Sequence, residues 1–121
     1  MAHSALHFAV GTGLGMLAFA RPVYRNWRGG ARLSEPLGRW VLGSLALGVF
    51  ALAPGLLRHL GLPESFCAGW WMNVFVFHQL LNALKPGGLL VGEIALVACL
   101  SAQYVVVVAA VVSARRRRAR S

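Results

Sequence analysis

The sequence has little charge, and this shortage excludes most kinds of soluble protein. Only 12% of the 121 residues are charged, whereas 58% are hydrophobic. A soluble domain has about 25% charged residues, so these side chains are too few to form its surface. The mean hydropathy of +0.65 is typical of an integral membrane protein instead.

Cysteines and acidic residues are also scarce, since the sequence has two Cys and three Asp or Glu. Two cysteines outside any CxxC pattern exclude a disulfide scaffold. Ser44 and Ser101 have no His and acid at the spacing that a serine hydrolase needs. The apolar segments leave no room for an extramembrane catalytic domain or a nucleotide-binding fold, so we expect a protein that is not an enzyme.

Four apolar segments approach or exceed the roughly 17 to 25 residues that cross a hydrocarbon core. They are residues 4–20, 40–57, 66–84 and 89–114. None alternates polar and apolar residues as a barrel strand does, and helices satisfy their own backbone hydrogen bonds in lipid. We therefore predict an all-α integral membrane protein, with a single four-helix domain over residues 1–114 and a basic tail over residues 115–121.

Helix start and stop signals separate these segments. Ser34-Glu35-Pro36 offers a capping hydroxyl and an early proline, and Gly61 ends the second helix. Residues 63–65 repeat the start signal for the third helix, and residues 85–88, Lys-Pro-Gly-Gly, form a tight break. The last two helices are therefore predicted to form an antiparallel hairpin. Trp40 and other aromatic residues near segment ends are expected at the membrane interface.

The net charge of +9 is concentrated in two arginine clusters, one between the first two segments and one in the tail. We expect these arginines to contact anionic lipid headgroups. No aromatic stacking or base-reading element accompanies them, so no nucleic-acid partner is predicted. The arginines are Arg21, Arg25, Arg28, Arg32, Arg115, Arg116, Arg117 and Arg118.

Membrane topology presents a conflict. The positive-inside rule favours a cytoplasmic loop at residues 21–39, in a bacterial inner membrane. If the three segments after this loop all cross, the tail lies on the opposite side and breaks the rule. We favour this four-crossing arrangement, because residues 66–77 are strongly apolar. In the alternative, the more polar segment 66–84 does not fully cross, and both clusters face the cytoplasm.

His78 and Glu93 are the main candidates for a polar site. With the hairpin turn at residues 85–88, their depths differ by only about 2 to 3 Å, and Asn82 lies one helical turn from His78. An intramembrane carboxylate usually has a partner. We expect a hydrogen-bonded cluster of His78, Glu93 and Asn82 that locks the hairpin. The alternatives are proton transfer, or haem or metal binding at His78, although no second histidine shares its depth.

A second candidate site is a surface metal site. His3 and His7 are four residues apart, a spacing that can chelate a metal on a helix, and His59 is predicted near the same membrane face. The competing interpretation is that histidines near a chain terminus are solvated. We predict no cofactor, with haem and a metal ion as the alternatives.

Small residues predict helix packing. Gly11 and Gly15, and likewise Ser44 and Gly48, have the spacing that permits close approach of two helices, within the chain or against another protein. Taken together, the patterns predict a small accessory or structural subunit of a larger membrane complex, or a self-associating protein. The alternative is a redox or proton-transfer subunit that uses His78 and Glu93.

Overall fold

The computed structural model describes residues 4–67 and 89–120, together with Gly69 and Phe75. Of these residues 89% are helical, and none forms a strand. The prediction of an all-α protein is therefore confirmed for the described part of the chain. The helices are α1 (Ser4–Ala18), α2 (Ala20–Gly29), α3 (Ser34–His59), α4 (Glu64–Cys67) and α5 (Leu89–Arg120).

Two of these helices, α3 and α5, are long and apolar enough to cross a membrane, and α1 is a shorter apolar helix. At about 1.5 Å per residue, α3 is roughly 39 Å long and α5 roughly 48 Å. Both present large apolar side chains outward: Leu42 and Val49 on α3, and Val97 and Val105 on α5, are each more than 60% exposed. The two long helices and this apolar surface indicate membrane association.

The helices pack in a definite direction. Helix α3 is antiparallel to α1, because Gly15 lies beside Ser44 and Gly11 lies beside Gly48. Helix α5 is parallel to α1, because Gly92 lies beside Leu6 and the Cys99 thiol lies 3.5 Å from the backbone oxygen of Ala9. The C-terminal part of α5 therefore lies at the same end as α2, and the start of α5 lies at the same end as the close of α3.

The helix boundaries largely follow the start and stop signals. Helix α3 begins at Ser34 and α4 at Glu64, and Gly61 has the left-handed φ of 93° that suits glycine after a helix end. The expected cap on α3 is wrong, however. Ser34 is already helical, so Leu33 occupies the N-cap position and makes no side-chain cap hydrogen bond.

Both arginine-rich segments are more helical than predicted. Helix α2 occupies the first half of the expected loop at residues 21–39. Helix α5 continues to Arg120, so the basic run extends the last helix and does not form a separate tail up to that residue. Arginine has a high helix propensity, and the preceding helical turns supply the nucleus that it propagates.

The favoured expectation that the two arginine clusters lie at opposite ends is wrong. Arg117 Nη2 of α5 donates a hydrogen bond of 3.0 Å to the backbone oxygen of Trp27 on α2, so the clusters meet at one end. The reason is the parallel packing of α5 on α1, which returns the end of α5 to α2.

The predicted third segment, 66–84, and its hairpin with the last helix lie mainly outside the described residues. Within this segment, Phe75 contacts Phe50 of α3, with ring centroids 4.9 Å apart. Such a separation is usual for a favourable aromatic pair.

Candidate functional site

Helices α1 and α3 meet at a close seam formed by Gly11, Gly15, Ser44 and Gly48. A Cβ added at Gly15 would lie 2.5 Å from the Cα of Ser44, and one at Gly11 would lie 2.9 Å from the Cα of Gly48. Ordinary contacts between carbon atoms are about 3.5 to 4.0 Å, so no larger side chain fits at either glycine. The structure thus places the four predicted small residues against one another within the chain.

Two buried polar side chains connect α5 to this seam. Gln103 Nε2 donates a hydrogen bond of 2.6 Å to Ser44 Oγ, which in turn donates one of 2.9 Å to the backbone oxygen of Val41. Gln103 is 6% exposed and Ser44 is fully buried. Sequence reasoning considered Ser44 as a nucleophile and as a small packing residue, but missed its hydrogen bond with Gln103. The available signal was an amide side chain in the middle of an apolar helix.

Trp40 forms a further link between α1 and α3. Its indole Nε1 donates a hydrogen bond of 2.8 Å to the backbone oxygen of Met16, and its side chain is 4% exposed. Met16 lies in the last turn of α1, where backbone oxygens have no partner within the helix. The ring of Trp40 is therefore enclosed by the chain and completes the end of α1, and its position at the membrane interface stays a prediction.

Thr12 lies next to the seam and is fully buried on α1. Its hydroxyl would collide with a Cβ at Gly48, so this glycine makes room for the threonine. Within the described part of the chain, Thr12 Oγ1 has no hydrogen-bond partner. The seam therefore combines close backbone contact with a small amount of buried polarity.

The proposed metal ligands are placed apart where the structure describes them. His7 is buried on α1, whereas His59 is exposed at the end of α3. In the register set by the seam, His7 is level with Leu52, about 10 Å along the helix axis from His59. His3 lies outside the described residues. Among those that are described, no three His, Cys, Asp or Glu side chains come together as metal ligands would.

Of the predicted polar pair of His78 and Glu93, only Glu93 is among the described residues. Glu93 is exposed near the start of α5, while His78 and Asn82 lie outside the described residues. The other two acidic side chains are in ion pairs, Glu35 with Arg39 at 2.7 Å and Glu64 with Arg58 at 2.8 Å. The pairing of Glu93 with His78 stays a prediction.

A turn with specific backbone geometry organises the arginine-rich end. Gly30 follows α2 with a left-handed φ of 71°, and Ala31 donates its backbone N–H to the oxygen of Asn26. The Asn26 side chain donates a 3.0 Å hydrogen bond to the backbone oxygen of Arg32. The Arg117 guanidinium donates a hydrogen bond to the backbone oxygen of Trp27. This oxygen lies at the C-terminal end of α2, where the helix dipole favours a cation.

An open groove of about 680 Å³ lies between this turn and the end of α5. One wall carries the turn and the start of α3, and the other carries the last turns of α5. The lining residues are Gly30, Ala31, Arg32, Leu33, Ser34, Leu37, Ala110, Val111, Ala114, Arg115, Arg117 and Arg118.

The other predicted lipid-contacting arginines, Arg21, Arg25, Arg28 and Arg116, are exposed outside the groove. Sequence reasoning found the arginines but separated the clusters, so it missed the groove.

In comparisons with known proteins, no family model, no curated protein and no solved structure matches this chain.

Proposed function

We propose that the chain is a small non-enzymatic integral membrane protein of a bacterial inner membrane, and an accessory or structural subunit of a larger membrane complex. One observation carries the membrane part of the proposal. Two arginine clusters, far apart in sequence, lie together at one end of a group of apolar helices.

This arrangement satisfies the positive-inside rule for both clusters at once. In the proposal, α3 and α5 cross the membrane, and residues 21–39 and 115–120 both face the cytoplasm. The start of α1 then faces the opposite side. Arg21, Arg25 and Arg28 on α2 are exposed, as contact with anionic headgroups requires.

A structural role is supported by the buried polar side chains, because they form hydrogen bonds between helices. Ser44 bonds to Gln103, and Trp40 bonds to the backbone of α1. Each of these bonds holds two helices together. Interhelical hydrogen bonds and close small-residue contacts are what stabilise helix pairs in lipid, where the hydrophobic effect between helices is absent.

The subunit part of the proposal is supported by the outer surface of α5. Ala98, Ser101 and Ala102 are exposed there and lie on one face at the spacing of three and four residues. Small side chains allow the backbone of a second helix to approach closely. We propose that a helix of a partner subunit packs on this face.

Reporter fusions test the membrane placement. We expect green fluorescent protein fused after Ser121, or inserted between Gly29 and Gly30, to fluoresce, because both sites would be cytoplasmic. Alkaline phosphatase at these sites should be inactive, and active when fused before Ser4. Phosphatase activity of the fusion after Ser121 would show that the proposed placement is wrong.

Purification in a mild detergent tests the partner. An affinity-tagged chain, expressed at its native level, should retain partner subunits in fixed proportion. Ala98→Leu and Ala102→Leu should lower their recovery, because a larger side chain keeps the partner helix away. Val97→Leu is the matched control, since Val97 is exposed and already large. Recovery of the chain alone, or equal loss in all three variants, would contradict the subunit proposal.

A further inference from the structure

The groove at the arginine-rich end is lined by both arginines and apolar side chains. We infer that it binds one anionic phospholipid, with the phosphate at Arg32 and Arg115 and an acyl chain along Leu37 and Val111. This inference rests on the proposed membrane placement and adds a specific ligand to it. General attraction of arginines to a membrane surface would not require a groove.

In the part of the chain that the structure describes, no acidic side chain lines the groove. The sequence has only three Asp or Glu residues. Glu35 is paired with Arg39 and does not line the groove, and Glu64 and Glu93 lie toward the opposite end of the helices. Arg32, Arg115 and Arg117 come from two different walls, so an anion between them contacts both.

The start of α3 adds backbone donors to this charge. Leu33 and Ser34 line the groove, and the N-cap residue Leu33 makes no side-chain cap hydrogen bond to the first turn of this 26-residue helix. The first N–H groups of a helix have no partner inside it, and the helix dipole places partial positive charge there. A phosphate oxygen is a suitable acceptor for these groups.

The walls of the groove are held in place before any ligand arrives. Arg117 crosses the turn so closely that a Cβ at Gly30 would lie 2.9 Å from its Nη1, while its Nη2 bonds to Trp27. The side chain of Asn26 holds the backbone of Arg32. Such preorganisation lowers the entropic cost of binding.

The apolar part of the lining favours a lipid over a soluble phosphate compound. Leu33 and Leu37 line the groove from α3 and its N-cap, and Ala110 and Val111 line it from α5. Val111 is 43% exposed and leads to the outward apolar surface of α5, which includes Val108. The volume of about 680 Å³ lies within the usual range of roughly 300 to 1,000 Å³ for ligand sites.

Native mass spectrometry of the purified full chain tests the inference. Phosphatidylglycerol and phosphatidylcholine with identical acyl chains are titrated into the detergent-solubilised protein. We expect one tightly held phosphatidylglycerol and weaker phosphatidylcholine binding. In the double variant Arg32→Gln/Arg115→Gln, the affinity for phosphatidylglycerol should fall roughly 25-fold, since each arginine near an anionic headgroup contributes about fivefold.

The matched control is Arg21→Gln/Arg25→Gln, which removes the same charge from α2 outside the groove. It should retain the tight site. If both double variants lose the same affinity for phosphatidylglycerol, the effect comes from the total charge of the protein and the inference is overturned. Equal binding of the two lipids by the unaltered chain would also overturn it. Competition by free glycerol 3-phosphate at the same concentration would show a soluble phosphate site instead.

Failure of this inference is distinguishable from failure of the proposed function. The lipid titration is carried out in detergent and does not depend on which side the arginines face. A cytoplasmic reporter after Ser121 without a phosphatidylglycerol preference would overturn only the lipid site. An exported reporter would overturn the membrane placement, whatever the titration shows.

Discussion

Gly15→Ala should destabilise the chain, although alanine is the better helix former. The Cβ of the new residue would lie 2.5 Å from the Cα of Ser44 and 3.1 Å from its Cβ. Ordinary contact needs about 3.5 Å or more, so α1 and α3 must separate by about 1 Å. Since the obstruction on α3 includes backbone, a side-chain rotation cannot relieve it.

The size of the expected destabilisation follows from the packing contacts between α1 and α3 that the separation weakens. A gap of about 0.5 to 1 Å forfeits a quarter to a half of the dispersion energy of the contacts across it. In lipid or detergent, such packing is a main source of helix association. We expect a loss of about 1 to 3 kcal/mol in the free energy of unfolding, the usual range for an overpacked core.

Equilibrium unfolding, followed by tryptophan fluorescence in mixed micelles with increasing dodecyl sulfate, measures this loss. Gly38→Ala is the matched control, because Gly38 lies in α3 and none of the described residues comes within 4 Å of an added Cβ. This control should become more stable by about 0.5 to 1 kcal/mol, from helix propensity. If Gly15→Ala is stabilised to the same degree, the close contact between α1 and α3 does not exist.

Three further substitutions test individual contacts. A double-mutant cycle of Gln103→Leu and Ser44→Ala should give a coupling energy of about 0.6 kcal/mol, and up to about 1.7, because the two side chains share a buried hydrogen bond. Trp40→Phe should lower the free energy of unfolding by about 1 kcal/mol or more, since the oxygen of Met16 loses its donor. Glu93→Gln should change it by less than about 0.5 kcal/mol, because the side chain is exposed.

Each of these measurements has an outcome that contradicts its premise. Strict additivity of the two substitutions in the cycle would mean that Gln103 and Ser44 do not interact. If Trp40→Phe has the same free energy of unfolding as the unaltered chain, the Trp40 indole does not donate a hydrogen bond to the Met16 oxygen. A large destabilisation by Glu93→Gln would contradict the exposed position of this side chain.

Much of the secondary structure was predictable, because its signals are local. The apolar segments at residues 40–57 and 89–114 lie within α3 and α5, and the signals at Ser34 and Gly61 mark the bounds of α3. The seam residues were also found by spacing alone. A small residue at every fourth position indicates close packing, whatever the partner helix is.

What the sequence determined by itself is the class of the protein: helices, an apolar surface and two arginine clusters. Composition and the length of apolar runs are sufficient for this, since lipid accepts few other backbone structures. Only the tertiary structure decided which ends meet. The contacts of Gln103 with Ser44 and of Arg117 with Trp27 join residues 59 and 90 positions apart. No local pattern encodes them, because they depend on α5 packing parallel to α1.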